Sequence, residues 1–240
     1  MGSLTNKIAV VTGGSRGIGF AVARTLLAEG VRVSITGRRA DDLAGARDKL
    51  ETSPAGRLET FTADVRRYAD MERVIAGTVS QFGGLDILVN NAGVGIFATV
   101  VDLTPQQWAD VIDTNLTGVY NACHAALPVL RQRGGGAIIN ISSLAGANPF
   151  AGGAAYCASK SGLNAFSEAL MQEVRYDNIR VSYVMPGSVA TRFTASDESR
   201  GAEWKLAPDD VAEVVVNLLT QHPRSLASRV ELRPSKPKKA

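Results

Sequence analysis

The sequence predicts an α/β protein built on one doubly wound parallel sheet. Short β-rich apolar runs alternate with longer helical patterns along nearly the whole chain, the signature of repeated strand–helix units. Several of the runs are apolar on both faces, as strands covered by helices above and below must be. At 240 residues, with 45% hydrophobic and 20% charged residues, the chain has the size and apolar content of one large α/β domain. No repeat or linker divides it, so residues 1–232 are expected to form a single domain, followed by a basic, frayed tail at 233–240.

The first strand is "KIAVVT" (7–12), which leads through a glycine-rich turn into a helical pattern over 17–29. "RVSIT" (32–36) and a helix over 40–52 form the second unit, and "LETFTA" (58–63) with a helix over 68–82 the third. "LDILVNN" (85–91) precedes a long helical stretch, 105–131, opened by Thr104-Pro105 as cap and first turn. "GAIINIS" (136–142) and a helix over 154–176 follow, then "IRVSYVMP" (179–186). The last unit is a helix over 208–220, opened by Pro208-Asp209, and the strand "SRVEL" (228–232). Residues 187–207 show weak periodicity over a length that compact domains reserve for lids or disorder.

Net charge is +3, but the last twelve residues hold five cations against Glu231 alone, which leaves −1 for the other 228 residues. A basic globular face for nucleic acid is therefore not expected. The longest apolar run, "VGIFATVV" (94–101), is interrupted by glycine and far too short to span a bilayer. The start lacks the basic flank and cleavage site of a signal peptide. Cys123 and Cys157 stand apart, outside any CxxC or Cys/His cluster, which points to a reducing cytoplasm and no structural metal.

The turn after the first strand, "TGGSRGIG", spaces Gly13, Gly17 and Gly19 around Ser15, Arg16 and Ile18. Glycines between a strand and a helix let backbone N–H groups and the helix N-terminus approach a pyrophosphate. A dinucleotide cofactor is the reading. Where an NAD site would carry an acid at the end of the second strand, this chain has Gly37 followed by Arg38 and Arg39. With Arg16, these guanidinium groups suit forked contacts to a 2′-phosphate, which selects NADP(H). Arg38 and Arg39 are each also readable as solvated surface residues.

Tyr156 and Lys160 stand four apart at the head of a helical pattern and so share a face. A phenol titrates near 10, and bringing it near 7 needs about 4 kcal/mol of differential stabilisation. A neighbouring ammonium and the positive ring of an oxidised nicotinamide both favour phenolate. Tyr156 is thus the candidate general acid/base, tuned by Lys160.

With "TGGSRGIG" (12–19), "DV" (64–65), "NNAG" (90–93), Asn115, "ISS" (141–143), "YCASK" (156–160) and "PGSVAT" (186–191) in order and register, the chain strongly resembles the classical short-chain dehydrogenase/reductase family over about residues 5–232. The resemblance implies a Rossmann-type sheet of order 3-2-1-4-5-6-7 and NAD(P)-linked oxidoreduction of a carbonyl/alcohol pair. It implies that Asp64 meets the adenine amino group and Val65 its ring, and that Asn90, Ala92 and Gly93 lie near the adenosine ribose. For Asn90, hydrogen bonding inside the sheet is the alternative. Pro186, Gly187, Val189 and Thr191 would line the nicotinamide, and Lys160 would also hold its ribose.

The family's catalytic serine lies thirteen residues before its tyrosine, which selects Ser143 over Ser142 as donor to the substrate oxygen; adjacent strand residues face opposite sides. By the same resemblance, Asn115 marks a helix distortion that holds a water between Lys160 and solvent. Cys157, His124 and His222 are read as packing or surface residues.

Substrate choice falls to 94–102, 144–153 and 188–207, where Phe97, Phe150, Phe193 and Trp204 either line an apolar pocket or pack the core, and Arg192 is the one cation placed for an anionic group. The ending "RVELRPSKPKKA" differs from the glycine-paired turn that closes the family's 3-oxoacyl-thioester reductases. It resembles instead the branches acting on small aldehydes, ketones or hydroxy acids. The thioester reductase remains one alternative and a non-catalytic NADP-sensing protein another. The helices at 105–131 and 154–176 match those that pair subunits in the family, which implies a homodimer or homotetramer.

Overall fold

The computed structural model describes residues 2–51, 56–191, 193 and 203–237. Seven strands form one sheet: β1 (Ile8–Val11), β2 (Arg32–Gly37), β3 (Leu58–Thr62), β4 (Ile87–Asn90), β5 (Gly136–Ile141), β6 (Ile179–Pro186) and β7 (Arg229–Leu232). Their order is β3-β2-β1-β4-β5-β6-β7, and every neighbouring pair is parallel. The order and the parallel pairing are those expected of the sequence.

The helices are α1 (Gly17–Ala28), α2 (Ala40–Leu50), α3 (Tyr68–Phe82), α4 (Pro105–Ile112), α5 (Gly118–Gln132), α6 (Ala154–Val174) and α7 (Pro208–Thr220). β1 shows why they cover both faces. Its four residues are all buried, yet Ala9 and Val11 join the core that contains α1 and α7, while Val10 joins the core of α3, α5 and α6. Alternation by twos thus feeds two apolar layers, each full burial of a Val or Leu contributing about 1.5–3 kcal/mol. Asp86, just before β4, fastens the near edge: it accepts from the Ile8 N–H at 2.9 Å and pairs with Lys7 and Arg133.

One expected helix is not continuous. The stretch read as 105–131 divides at Asp113–Thr117, a π-helical turn between α4 and α5. Thr104 caps α4 as expected, in a reciprocal box with Gln107.

The other departure is at the end of the chain. Arg233, Pro234 and Pro237, in the stretch read as a tail, lie on the wall of the cavity described below. Topology explains this. All strands run parallel, so the chain leaves β7 at the same sheet edge at which it leaves the other six. Lys238 and Lys239 lie outside the described residues.

Candidate active site

The carboxyl ends of the strands surround a cavity of about 1480 Å³. That exceeds the range of roughly 300–1,000 Å³ for a single small ligand and suits a dinucleotide with a second molecule beside it.

At one end lies the glycine turn. Gly13 and Gly17 adopt φ of 65° and 56°, open to glycine at little cost. A Cβ on Gly13 would meet the Ala92 Cα at 2.9 Å, and one on Gly17 the Thr191 side chain at 3.3 Å. The turn therefore presses against the loops after β4 and β6. Gly19 is not on the cavity wall; a Cβ there would overlap the Gly13 carbonyl and the Asn91 amide, so its bareness serves helix–strand packing. Arg16 is the N-cap of α1, with no side-chain capping bond and no acid in the first turn. The helix N-terminus thus keeps its donors and positive dipole for an anion.

Ser15, Arg16, Ile18, Arg38 and Arg39 all face this end. Arg38 and Arg39 are exposed, and Arg39 reaches Asp42 at 3.5 Å. Gly37 closes β2 without an acid. The residues present fit a dinucleotide bearing an extra phosphate on its adenosine ribose.

Asp64 and Val65 also line the cavity. Arg66, which the sequence reading passed over, clasps the Asp64 carboxylate at 2.6 Å and bridges to Asp110 at 2.9 Å. This guanidinium holds the Asp64 carboxyl below the usual carboxylate range.

At Asn90 the structure shows the bonding inside the sheet. Its side chain turns into the sheet, donating to Asn140 Oδ1 at 2.8 Å and to Cys123 Sγ at 3.3 Å, and it is not on the cavity wall. Asn91 takes that place with Ala92 and Gly93, its amide donating to the carbonyls of Thr12 and Gly13 at 3.0 and 3.1 Å. The doubled asparagine of "NNAG" was the signal, and strand alternation decides which one faces out. The Cys123 thiol, buried beside Asn90, is pushed up to about 12 by burial and is inert as a nucleophile at neutral pH.

At the other end of the cavity stand Ser143, Tyr156 and Lys160. Ser143 follows β5, and its Oγ accepts from the Ala145 N–H at 3.1 Å, which leaves its hydroxyl proton to donate. Ser142, one residue back, donates to Asn164 Oδ1 on α6. The pair divides as alternation requires.

Lys160 is buried one turn below Tyr156, and its Nζ donates to the Ile141 carbonyl at 2.8 Å. Burial pushes its pKa down to about 8, so near pH 7 it is mostly ammonium. Its Nζ lies 5.9 Å from the Tyr156 ring centre. Burial raises the Tyr156 phenol, while a hydrogen bond with Ser143 lowers it. Burial outweighs that hydrogen bond, so the tyrosine holds its proton at neutral pH, the state needed to protonate an alkoxide. The phenolate expected from the sequence requires the further positive charge of an oxidised cofactor.

Asn115 sits fully buried in the π-helical turn. Its side chain accepts from the Val94 N–H at 2.8 Å and donates to the Val94 carbonyl and Ser159 Oγ at 2.9 and 3.0 Å. The helix distortion is there, but the amide clamps the loop after β4 to α6 and does not line the cavity.

Pro186, Gly187, Val189 and Thr191 line the cavity. Residues 188–190 pair with Leu206 through two backbone hydrogen bonds of 2.8 and 2.9 Å, which brings Trp204 to the wall beside them. Arg192 lies outside the described residues.

A parallel sheet whose strand ends hold a glycine turn at one end of a cavity, and a serine, a tyrosine and a lysine at the other, defines a Rossmann-type oxidoreductase. The chain belongs to the short-chain dehydrogenase family: the model described as "short chain dehydrogenase" matches residues 7–201. It is 33% identical over 234 residues to an uncharacterised oxidoreductase of Staphylococcus saprophyticus, covering 98% of this chain and 100% of that one. It is 36% identical over 205 residues to a 3-oxoacyl-[acyl-carrier-protein] reductase of Chlamydia trachomatis, covering 85% of this chain and 82% of that one. A crystal structure of a metagenomic short-chain oxidoreductase in complex with NADP matches with a TM-score of 0.85 at 38% identity, covering 98% of this chain and all of that one.

Proposed function

We propose that this protein is an NADP(H)-dependent carbonyl reductase acting on a small aldehyde, ketone or hydroxy-acid/alcohol pair. The observation that carries the reading is one cavity with Ser143, Tyr156 and Lys160 at one end and Arg16, Arg38 and Arg39 at the other. The glycine turn and the N-terminus of α1 would hold the pyrophosphate, and the arginines the 2′-phosphate. Asp64 and Val65 would take the adenine, Ala92 and Gly93 its ribose, and Pro186, Gly187, Val189 and Thr191 the nicotinamide. The NADP complex of the metagenomic relative supports the cofactor assignment.

When bound, the nicotinamide supplies or removes hydride at the substrate carbon. The protein's residues do the rest. Ser143 donates to the substrate oxygen as negative charge develops there. Tyr156 passes its phenol proton to that oxygen, and Lys160 stabilises the phenolate left behind. Lys160 also binds the nicotinamide ribose, and the π-helical turn at Asn115 supports the water path that restores the proton.

A 3-oxoacyl-thioester reductase is the second reading, favoured by the name of the Chlamydia relative. A non-catalytic NADP sensor is the third, and the presence of all four of Asn115, Ser143, Tyr156 and Lys160 argues against it. Cytoplasmic location and a homodimer or homotetramer belong to the same proposal. Among the described residues, no helix is long and apolar enough to cross a membrane.

The test combines fluorescence titration with NADPH and NADH and absorbance assays on a carbonyl panel. NADPH should bind at least about tenfold more tightly, about 1.4 kcal/mol. Tyr156→Phe should lose about 10²–10⁴-fold in turnover with the NADPH Kd retained. Equal affinity for both cofactors defeats the NADP assignment, and turnover retained in Tyr156→Phe defeats the acid/base assignment.

A further inference from the structure

Phe97, Phe150 and Phe193 are left 43%, 49% and 39% exposed, yet Phe97 and Phe193 stand against one phenol and Phe150 packs on Phe97. The Phe97 ring stands edge-on to Tyr156 with centroids 5.5 Å apart at 73°. Phe193 approaches the same ring from 5.6 Å at 60°, and Phe97 meets Phe150 at 5.8 Å and 42°. They come from three separate loops, after β4, after β5 and after β6, and all line the cavity that holds Ser143 and Lys160. Each ring rests on bare backbone. A Cβ on Gly95 would lie 2.5 Å from Phe193 and 3.0 Å from Phe97, and one on Gly153 2.6 Å from Phe150. Such seats hold the rings in place without filling the space in front of them.

We propose that these three phenylalanines form the substrate wall and select a carbonyl carried on a flat aromatic body, an aryl ketone or aryl aldehyde. The inference rests on the carbonyl-reductase reading above and deepens it. A carbonyl oxygen placed between the hydroxyls of Ser143 and Tyr156 leaves its substituents beside the Tyr156 ring, where the first surfaces they meet are Phe97 and Phe193. A flat ring there makes edge and offset contacts with phenylalanines already in place, at centroid spacings of about 4.5–7 Å. A flexible alkyl chain of the same size must be ordered to reach the same wall. The arm of an acyl thioester would set its amide groups against phenylalanine rings, which offer them no hydrogen-bond partner.

The experiment compares kcat/KM with NADPH for two eight-carbon methyl ketones, acetophenone and octan-2-one, and for a 3-oxoacyl thioester. The wild-type protein should prefer acetophenone to both others by about tenfold or more. Phe97→Ala and Phe150→Ala should each raise KM for acetophenone several-fold, change octan-2-one less and leave the NADPH Kd unaltered. Both side chains are exposed, so thermal unfolding should show folded variants. Phe97→Leu keeps the apolar volume and should recover octan-2-one turnover but not the aryl preference. Equal use of the two ketones, or alanine variants with unchanged KM for acetophenone, overturns the inference while leaving the reductase reading intact; preference for the thioester overturns the inference and moves the reductase reading to its thioester alternative. No turnover of any carbonyl, in either direction and with either cofactor, defeats the reductase reading and this inference with it.

Discussion

Lys160 sits where a lysine costs stability. Burial lowers its pKa from 10.5 to about 8, so the unfolded chain binds the proton more tightly than the folded one. Between pH about 8 and 10.5 the unfolded state therefore carries the extra proton, and stability rises with pH through that window. Below pH about 8 both states are charged and the whole penalty is present, about 3 kcal/mol. The hydrogen bond to the Ile141 carbonyl returns about 1 kcal/mol. Lys160→Met should thus keep or raise the melting temperature at pH 7, at about 2–4 °C per kcal/mol for a chain of this size, while turnover collapses. Its advantage over wild type should shrink as pH rises toward 10. Thermal unfolding of both proteins across that range checks the claim, and a variant clearly less stable than wild type at pH 7 refutes it.

At the scale of elements, periodicity alone does not show the π-helical turn at Asp113–Thr117; the family resemblance at Asn115 is what marks a distortion there. Periodicity located the whole stretch 105–131 because the apolar spacing of α4 and α5 continues on either side of the turn. One extra residue in a single turn changes that spacing too little to register. Asn115 was the visible clue, a polar residue in an apolar helix, but its partners Val94 and Ser159 are far away in sequence. Replacing it by leucine leaves the Val94 N–H and carbonyl, and the Ser159 hydroxyl, without that partner. Asn115→Leu should therefore lose about 2–5 kcal/mol, seen as a fall of roughly 5–15 °C in melting temperature. Hydrogen exchange at the Val94 amide should quicken in the same variant; an unchanged melting temperature with that amide still protected would remove the clamp from the account.

Across the whole molecule, the site is legible wherever it follows from parallel strands, because every segment after a strand must emerge at one edge. That logic agrees with the glycine turn and the arginines after β2, while Ser143 and the residues after β6 come from the family resemblance. Applied to β7 it also places Arg233 and Pro234 beside the cavity, where the basic charge of the ending suggests a solvated tail. What it could not supply is how side chains pair between distant segments, such as Arg66 on Asp110, Phe97 and Phe193 on Tyr156, or Phe150 on Phe97. The outer face of α4 and α5 raises a further whole-molecule question. It exposes Trp108 and Tyr120, with His124 packed between Tyr120 and Tyr68 at centroid distances of 5.5 and 5.2 Å. Exposed aromatic surface off the cavity wall is costly to leave in water and is characteristic of interfaces. A second copy of the chain, paired through these helices, would cover it. Sedimentation at micromolar concentration should accordingly give a dimer or tetramer. Trp108→Asp combined with Tyr120→Asp should shift it to monomer with the NADPH Kd unchanged, since neither residue lies on the cavity wall. A wild-type protein that sediments as a monomer would show that this face is not where copies of the chain meet.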